Sequence, residues 1–362
     1  MKSLKELMNE KLWESSTNNN LDFSSIENFI NSDKLSAKYI TSLSDGLNFE
    51  MPDESSPIYT VTQSRARHSA ISYLLRMIFE DFGDLMKKIE LTFSEYTPKQ
   101  QYALWMLTSL NHDRAYTSDR LNNPELVYSK AFSHALINEY SNDSNDRIMA
   151  YSAEEMLNYD RYIRAFHSKR KDVERIDHGI LGGHILYNEL LNRYIKTNKM
   201  TSFQKFQMRC CALTIAQHNI FKSSSPETDE TYKQYSLERL MSYSMFRIDD
   251  NTPLLLLLCL VDTVECVKRF SKSETDGKYL QTLTVLENIK AKITKDRIVL
   301  DFSDLRSEIE NKNNGPLLAD YNKYLDSLKT FNTWTILNAE VKEDIVTITL
   351  TDAYSNDINV AS

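Results

Sequence analysis

The sequence predicts a mainly α-helical protein with a small α+β unit at its C-terminal end. Glycine and proline number only 7 each in 362 residues, which disfavours a loop-rich β-barrel. Apolar residues recur at helical spacing in several segments between about residues 60 and 270. Beyond residue 278 the spacing changes to an alternation of apolar and polar residues, which is typical of strands. The hydrophobic content of 41% supports a globular core.

The first part of the chain, 1–59, is predicted to be an N-terminal helical extension in which short helices are broken by polar loops such as 15–20. Its first residues lack the apolar core of a signal peptide. The longest apolar run, Leu254–Val261, is too short to span a bilayer. The four cysteines show no Cys-x-x-Cys spacing, so we expect reduced core cysteines. Together these features predict a cytoplasmic protein without membrane association.

The central part, 60–272, is predicted to be a helical domain. Apolar spacing from Ile71 to Phe82 indicates a long helix that opens at His68. Thr97 followed by Pro98 is a helix start, and the apolar face of that helix leads to His112 and Asp113. Further helices are predicted over 153–166, 182–196 and 203–216, and from Pro253 to about Phe270, with polar loops between them.

The last part, 278–362, is predicted to be a separate α+β unit that follows a polar linker over 271–277. Residues 286–294 and 297–302 read as one hairpin, and 333–341 and 345–350 as a second. A helix over 305–328 lies between them, interrupted near Gly315 and Pro316. We identify no candidate catalytic or ligand-binding residues in this unit, and we interpret Trp334 as a packing residue of the sheet. The functional alternative is a regulatory site or a dimerisation surface, since an exposed sheet edge could pair with another copy to form a homodimer.

Histidine and aspartate residues recur in a fixed order along the helical domain. Four of the seven histidines fall in this series, and most of its members lie at or near the end of a predicted helix. Imidazole and carboxylate ligands together suit Zn, Mn, Fe or Ni, and packed helices can bring such residues to one pocket. The candidate ligands are His68, His112, Asp113, His178, His218 and Asp262.

The same series resembles the HD superfamily of metal-dependent phosphohydrolases over about residues 60–270. Arg65-x-x-His68-Ser resembles the first histidine helix of that family, and Leu110-Asn-His-Asp resembles the doublet that names it. Asp177-His-Gly-Ile-Leu-Gly-Gly-His-Ile-Leu and Ile215-Ala-Gln-His-Asn resemble the elements of members with a second metal. The segment Leu257–Arg269 resembles the last helix, whose aspartate closes the first site. The motifs are weak singly and more specific in this order.

The resemblance implies an HD-type helical bundle with two divalent ions, Mn, Fe, Ni, Co or Zn, with Mg as an alternative. One ion would be held by His68, His112, Asp113 and Asp262. Asp113 would bridge to a second ion held by His178 and His218, which makes Asp113 the catalytic carboxylate. The implied reaction is hydrolysis of a nucleotide or other phosphate ester by a metal-bound hydroxide. Carboxylates of Asp177, Glu265 or Asp119 are candidates for fixing the imidazole tautomers.

The sequence departs from the family after the doublet. The residues Arg114-Ala-Tyr-Thr stand where many relatives have Ile-Gly and sometimes a lysine. The stretch between Asp113 and His178 is also longer than is usual in the family, and the extra segment could be a lid or a specificity element. We expect phosphate contacts from basic residues near the ligands. For the basic run, the alternative is a solvated loop. For the histidine, the alternative is that it points away from the site, because it lies six residues past His178 on the same helix and so on a different face. The candidates are Arg65, Arg114, Lys169, Arg170 and His184.

Two other functions remain open at the level of sequence. The HD-like domain could be a non-catalytic sensor or interaction module that binds a nucleotide or a protein partner. A purely structural metal is less compatible with six candidate ligands, because structural zinc sites usually close with four ligands and often use cysteine. The net charge of -8 disfavours broad nucleic-acid binding.

Overall fold

The computed structural model describes residues 1–19, 25–27, 57–115, 178–195, 200–218, 234, 253–271, 279–312, 314–331 and 335–351. Most of these residues are helical, and a small antiparallel sheet lies near the C-terminal end, as predicted. The helices are α1 (Leu4–Asn19), α2 (Pro57–Ile78), α3 (Gly83–Thr92), α4 (Pro98–Asn111), α5 (His178–Ile195), α6 (Ser202–Gln217), α7 (Pro253–Val264), α8 (Val267–Phe270), α9 (Thr282–Glu287), α10 (Ser303–Asn311) and α11 (Gly315–Leu328). The strands are β1 (Lys2–Ser3), β2 (Lys290–Ile293), β3 (Arg297–Asp301), β4 (Leu337–Lys342) and β5 (Ile345–Leu350).

The chain divides into two compact units, and each draws on segments that are distant in sequence. The first unit takes its residues from 1–33, 70–92 and 259–362, and the second from 34–69 and 93–258. The sequence analysis instead divides the chain into consecutive ranges. The predicted helix over 153–166 and the loops around it lie outside the described residues.

The first unit contains the sheet, whose strand order is β1-β2-β3-β5-β4 with every pair antiparallel. Both predicted hairpins are present. Ile298 pairs with Ile348, and Leu300 with Val346, and all four side chains are fully buried. Branched apolar residues placed two apart on paired strands give the sheet one apolar face for the core.

The N-terminal residues belong to this sheet unit, which the sequence did not indicate. Strand β1 pairs with β2, and the amide of Leu4 donates to the carbonyl of Ile289 at 2.8 Å. Met8 and Leu12 of α1 are buried. The first helix therefore packs within the unit that holds the C-terminal hairpins.

One boundary of the predicted α+β unit is wrong, and one predicted interruption is confirmed. Helix α9 occupies the start of the predicted strand over 286–294. The adjacent residues Val285 and Leu286 are both buried. A strand with one buried face cannot bury two neighbouring side chains, because its side chains point alternately to opposite faces. The interruption predicted near Gly315 and Pro316 is present, and it divides this segment into helices α10 and α11. Asn314 caps the second by accepting from the amide of Leu317 at 3.1 Å, and Pro316 follows near its start.

The second unit is built around helices α4, α5 and α6. The predicted start at Thr97 and Pro98 is confirmed, because Thr97 and Gln100 form a capping box in which each side chain accepts from the other's backbone amide. Thr201 and Gln204 form the same motif at the start of α6. These caps fix where α4 and α6 begin. The length of each helix then sets the direction of the residues at its C-terminal end, which are His112 for α4 and His218 for α6.

Three helix boundaries near the candidate ligands differ from the prediction. Helix α2 begins at Pro57, so His68 lies within the helix instead of opening it. Helix α5 begins at His178, one turn earlier than predicted, which places this histidine in its first turn. Helix α7 ends at Val264, and a break at 265–266 separates it from α8. Apolar periodicity gave no signal for this break because Val264, Val267 and Phe270 continue the helical spacing.

All four cysteines are buried and none forms a disulfide, as the sequence predicts: Cys210, Cys211, Cys259 and Cys266. Burial raises the pKa of the Cys211 thiol to about 12, so this thiol is protonated at neutral pH.

None of the helices in the described ranges combines the length and the apolarity that a bilayer crossing requires.

Candidate metal centre

Four histidines of the second unit converge around the carboxylate of Asp113. The rings of His68 and His112 lie 5.0 Å apart, those of His112 and His218 5.3 Å apart, and those of His178 and His218 5.3 Å apart. These distances form a continuous chain of imidazoles drawn from helices α2, α5 and the ends of α4 and α6. The sequence predicts this convergence from the types and order of the residues and from their places near the ends of predicted helices.

The two carboxylate oxygens of Asp113 lie nearest to different histidines, and Oδ1 is also the oxygen nearer to Nε2 of His112, at 3.9 Å. Oδ1 of Asp113 lies 3.1 Å from Nε2 of His178, and its Oδ2 lies 3.5 Å from Nε2 of His68. The side chain is only 3% exposed. A buried carboxylate with imidazoles on both oxygens is placed as a bridging ligand would be.

Two of the imidazoles are oriented by backbone carbonyls. Nδ1 of His112 lies 2.7 Å from the carbonyl oxygen of Ser109, and Nδ1 of His218 lies 2.7 Å from that of Ile215. A carbonyl only accepts, so each Nδ1 carries the proton and donates it. The lone pair of the neutral ring is then on Nε2, the atom that faces the cluster. The tautomer-fixing groups proposed from sequence were carboxylates; for these two histidines, the last turn of their own helix provides the acceptor.

The donor atoms fit a divalent metal. Two ligand atoms that bind one ion at about 2.0–2.1 Å are themselves about 2.9–3.4 Å apart. Nε2 of His68 lies 3.1 Å from Nε2 of His112, and Oδ1 of Asp113 lies 3.1 Å from Nε2 of His178. The described residues thus include two His/Asp groups that could each hold a metal ion, one around Asp113, His178 and His218 and one around the His68–His112 pair. Nitrogen and oxygen donors without thiolate suit Mn, Fe, Ni, Co or Zn.

The approach of α5 to α6 brings His178 and His218 together. A Cβ added to Gly183 would lie 2.5 Å from the carbonyl oxygen of Ala212 and 2.9 Å from Cβ of Ala216. Only glycine on α5 and alanine on α6 allow the two backbones to come this close. Gly183 of the sequence motif therefore has a packing role that positions the ligands.

The cluster is most accessible at His178. Its side chain is 16% exposed, whereas the side chains of His68 and His112 are fully buried. His218 is also buried.

Asp262, the last candidate ligand, lies on α7 in the first unit. Its Oδ1 accepts a hydrogen bond from Nζ of Lys268 at 2.5 Å, and its side chain is 17% exposed. The buried carboxylate of Glu265 accepts from the amides of Val267 at 2.7 Å and Lys268 at 3.4 Å. These contacts give Glu265 a local role in the break between α7 and α8. Asp119 and Asp177 lie outside the described residues.

Among the predicted substrate residues, Arg114 and His184 are described in full. Arg114 is 3% exposed, and its guanidinium donates to the carboxylate of Glu189 on α5. His184 is fully buried on α5. The structure favours a role in packing the helices for both over contact with a substrate. The side chain of Arg65 and all of Lys169 and Arg170 lie outside the described residues.

Burial of His184 predicts a specific loss of stability in acid. Desolvation lowers the pKa of His184 to about 3 from an ordinary value of 6.5, so below about pH 6.5 the unfolded chain takes up a proton that the folded protein does not. Relative to His184→Leu, the free energy of unfolding of the wild type should therefore fall by about 2 kcal/mol between pH 7 and pH 5. Urea denaturation of both proteins in EDTA measures this difference, because the ligand histidines then titrate equally in both. Parallel curves would mean that His184 is not buried as a neutral ring.

No protein-family profile, curated protein sequence or solved structure matches this chain.

Proposed function

We propose that the protein is a metal-dependent phosphohydrolase or phosphodiesterase with an HD-type helical domain, and that it acts on a nucleotide or other phosphate ester. The observation that carries this proposal is the position of Asp113, whose two oxygens face His178 at 3.1 Å and His68 at 3.5 Å. The HD-like order of ligands in the sequence gives the reaction class. If the histidines formed only a hydrogen-bonded network in the core, neither the HD-like order of the residues nor the carboxylate shared between histidines would be required.

In this proposal His178, His218 and Asp113 hold one ion, and Asp113 also serves a second ion bound by His68 and His112. The order of the motifs in the sequence is the only support for Asp262 as a further carboxylate ligand of the second ion. Bound divalent cations would polarise a phosphate ester and lower the pKa of water. The carbonyls of Ser109 and Ile215 keep the imidazoles in the tautomer that binds metal. Asp113, which is buried between these histidines, would be the carboxylate that both ions share.

Turnover by metal-loaded protein tests the reaction class. The purified chain should be loaded with Mn, Fe, Ni, Co, Mg or Zn and assayed on a phosphomonoester, a phosphodiester and a panel of nucleotides. We expect phosphate or nucleotide release with at least one metal, and loss of at least about 100-fold in activity in Asp113→Asn. No turnover by protein shown to contain metal would exclude the hydrolase.

One observation favours a second function, a non-catalytic module that binds a nucleotide or a protein partner. Arg114, which follows the His-Asp doublet, is buried against Glu189, so it does not supply an open cation beside the ligands. A binding module would retain metal and would be stabilised by a nucleotide without forming product. A thermal shift of metal-loaded protein with a nucleotide, combined with analysis for product, separates the two functions.

A further inference from the structure

Arg114, the residue after Asp113, joins the turn at the end of α4 to helix α5. Residues 112–115 form this turn, and the amide of Arg114 donates to the carbonyl of Asn111 at 3.0 Å. The arginine is 3% exposed, and its guanidinium donates to the carboxylate of Glu189. The side chain of Glu189 is 37% exposed. The ion pair therefore connects a buried turn to a partly exposed position on α5.

The turn lies along one face of α5. His178, Gly182 and Glu189 share that face, because residues four and eleven apart lie within about 40° of each other around a helix axis. Nε2 of His178 lies 3.1 Å from Oδ1 of Asp113, and a Cβ added to Gly182 would lie 3.7 Å from the carbonyl oxygen of His112. The arginine contact at Glu189 comes about 16 Å further along the axis than His178. The turn is thus attached to α5 at both ends of this stretch.

We propose that Arg114 is a positioning residue whose ion pair with Glu189 holds the carboxylate of Asp113 at His178. This inference rests on the proposed function, in which Asp113 is a metal ligand. Asp113 and Arg114 share one planar peptide unit, so a shift in the backbone of one is passed to the other. The ion pair resists such a shift, because separation of a guanidinium from its carboxylate costs more in poorly solvated surroundings than at the surface.

The ion pair restrains the chain beyond the end of α4. Asp113 lies in the turn, and turns are held by fewer backbone hydrogen bonds than helices. A guanidinium has a rigid, planar set of donors, which fixes its direction on a carboxylate. Oε1 of Glu189 also accepts from Nη2 of Arg193 at 3.3 Å, so this carboxylate is itself oriented. Because metal ligation tolerates only about 0.2 Å, a restraint of this kind on Asp113 should affect metal affinity.

Loss of either half of the ion pair should weaken metal binding. Arg114→Gln should bind Mn²⁺ about tenfold more weakly than the wild type, at the lower end of the range for loss of an outer partner of a metal ligand. Glu189→Gln should have an effect of similar size, because it removes the other half of the same pair. Arg114→Lys should restore the affinity to within about threefold of the wild type, since the ammonium keeps the charge but lacks the planar set of donors.

The test is a double-mutant cycle on the full chain. Mn²⁺ is titrated calorimetrically into metal-free wild type, the two single variants and the double variant Arg114→Gln/Glu189→Gln. If the pair acts as a unit, the double variant should bind Mn²⁺ within about twofold of either single variant. The cycle separates the pair from any other contact that either side chain makes. Thermal unfolding of the metal-free variants confirms that each is folded at the temperature of the titration.

Arg193→Gln is the matched control. It removes a guanidinium that donates to the same carboxylate, but Arg193 lies on α5, outside the turn, and its side chain is 62% exposed. Its Mn²⁺ affinity should stay within about twofold of that of the wild type.

Weaker Mn²⁺ binding in both single variants, no further loss in the double variant and recovery in Arg114→Lys together support the inference. A residue that only stabilises the fold would lower the thermal stability of the metal-free protein and leave the Mn²⁺ affinity of the folded protein unchanged, and that result overturns the inference. Additive losses in the double variant, or an equal loss in Arg193→Gln, also overturn it. If Arg114→Gln does not fold, Glu189→Gln, Arg114→Lys and Arg193→Gln decide the question by the same criteria.

The wild type separates failure of this inference from failure of its premise. A wild type that binds no Mn²⁺ overturns the proposed metal site, and the role of Arg114 with it. A wild type that binds Mn²⁺, together with an unchanged affinity in Arg114→Gln, leaves the site standing and overturns the role of Arg114 alone. No readout requires turnover, so failure of the hydrolase assay leaves this result interpretable.

Discussion

Asp113→Asn should empty both metal groups at once. The substitution keeps the size of the side chain but removes the charge that both groups share, with Oδ1 facing His178 and Oδ2 facing His68. Loss of an outer hydrogen-bond partner of a ligand costs about 10–100-fold in metal affinity, so loss of a bridging ligand should cost more than about 100-fold for each ion. Elemental analysis of purified wild type should find about two ions per chain, and the variant should contain almost none.

Single-ligand variants provide the comparison that identifies a bridge. His178→Ala should lower the content by about one ion and leave the ion of the His68–His112 group. His184→Leu is the matched control, because it replaces a buried histidine of the same helix that is not in the cluster, and its metal content should equal that of the wild type. If Asp113→Asn loses no more metal than His178→Ala, the carboxylate serves one ion only. A wild type that binds no metal under any loading condition would identify the cluster as a hydrogen-bonded histidine network.

Much of the fold follows from local signals. Thr97 and Pro98 mark the start of α4 through side-chain and backbone chemistry that the sequence displays directly. Lys342 and Ile345 form the last pair before the predicted turn of the second hairpin. Strand β1, in contrast, depends on pairing with β2 almost 290 residues away, and two residues carry no periodicity from which that contact could be predicted.

The candidate site divides in the same way. The convergence of His68, His112, Asp113, His178 and His218 was predictable because their types and order were informative together. The contact between Lys268 and Asp262 was not, since it requires a helix break that the apolar spacing conceals. The carbonyl partners of His112 and His218 could not be predicted either. Every residue has a backbone carbonyl, so the sequence does not indicate which one accepts a hydrogen bond from a histidine.

Gly183→Ala should disrupt the packing of α5 on α6 and weaken metal binding. The new Cβ would lie 2.5 Å from the carbonyl oxygen of Ala212 and 3.1 Å from the amide nitrogen of Ala216, and these backbone atoms cannot move aside without moving the helix. Overpacking of this kind costs about 1–3 kcal/mol, which outweighs the gain of about 1 kcal/mol that alanine brings to a helix. Separation of the helices should also draw His178 away from His218. Because metal ligation tolerates only about 0.2 Å, we expect metal content to fall in the group that these two histidines form with Asp113.

Gly182→Ala is the matched control, one residue earlier in the same helix. Its nearest neighbours would be Cγ2 of Ile215 at 3.4 Å and Cβ of Ala115 at 3.7 Å, which are ordinary contacts. Both substitutions reduce the entropy of the unfolded chain equally, so their difference isolates the packing of the folded state. Gly182→Ala should be as stable as the wild type or up to about 1 kcal/mol more stable, with unchanged metal content. Urea denaturation and elemental analysis of the pair measure both effects. If the two variants behave alike, the close approach of α5 and α6 does not exist in solution, and the positions of His178 and His218 need another explanation.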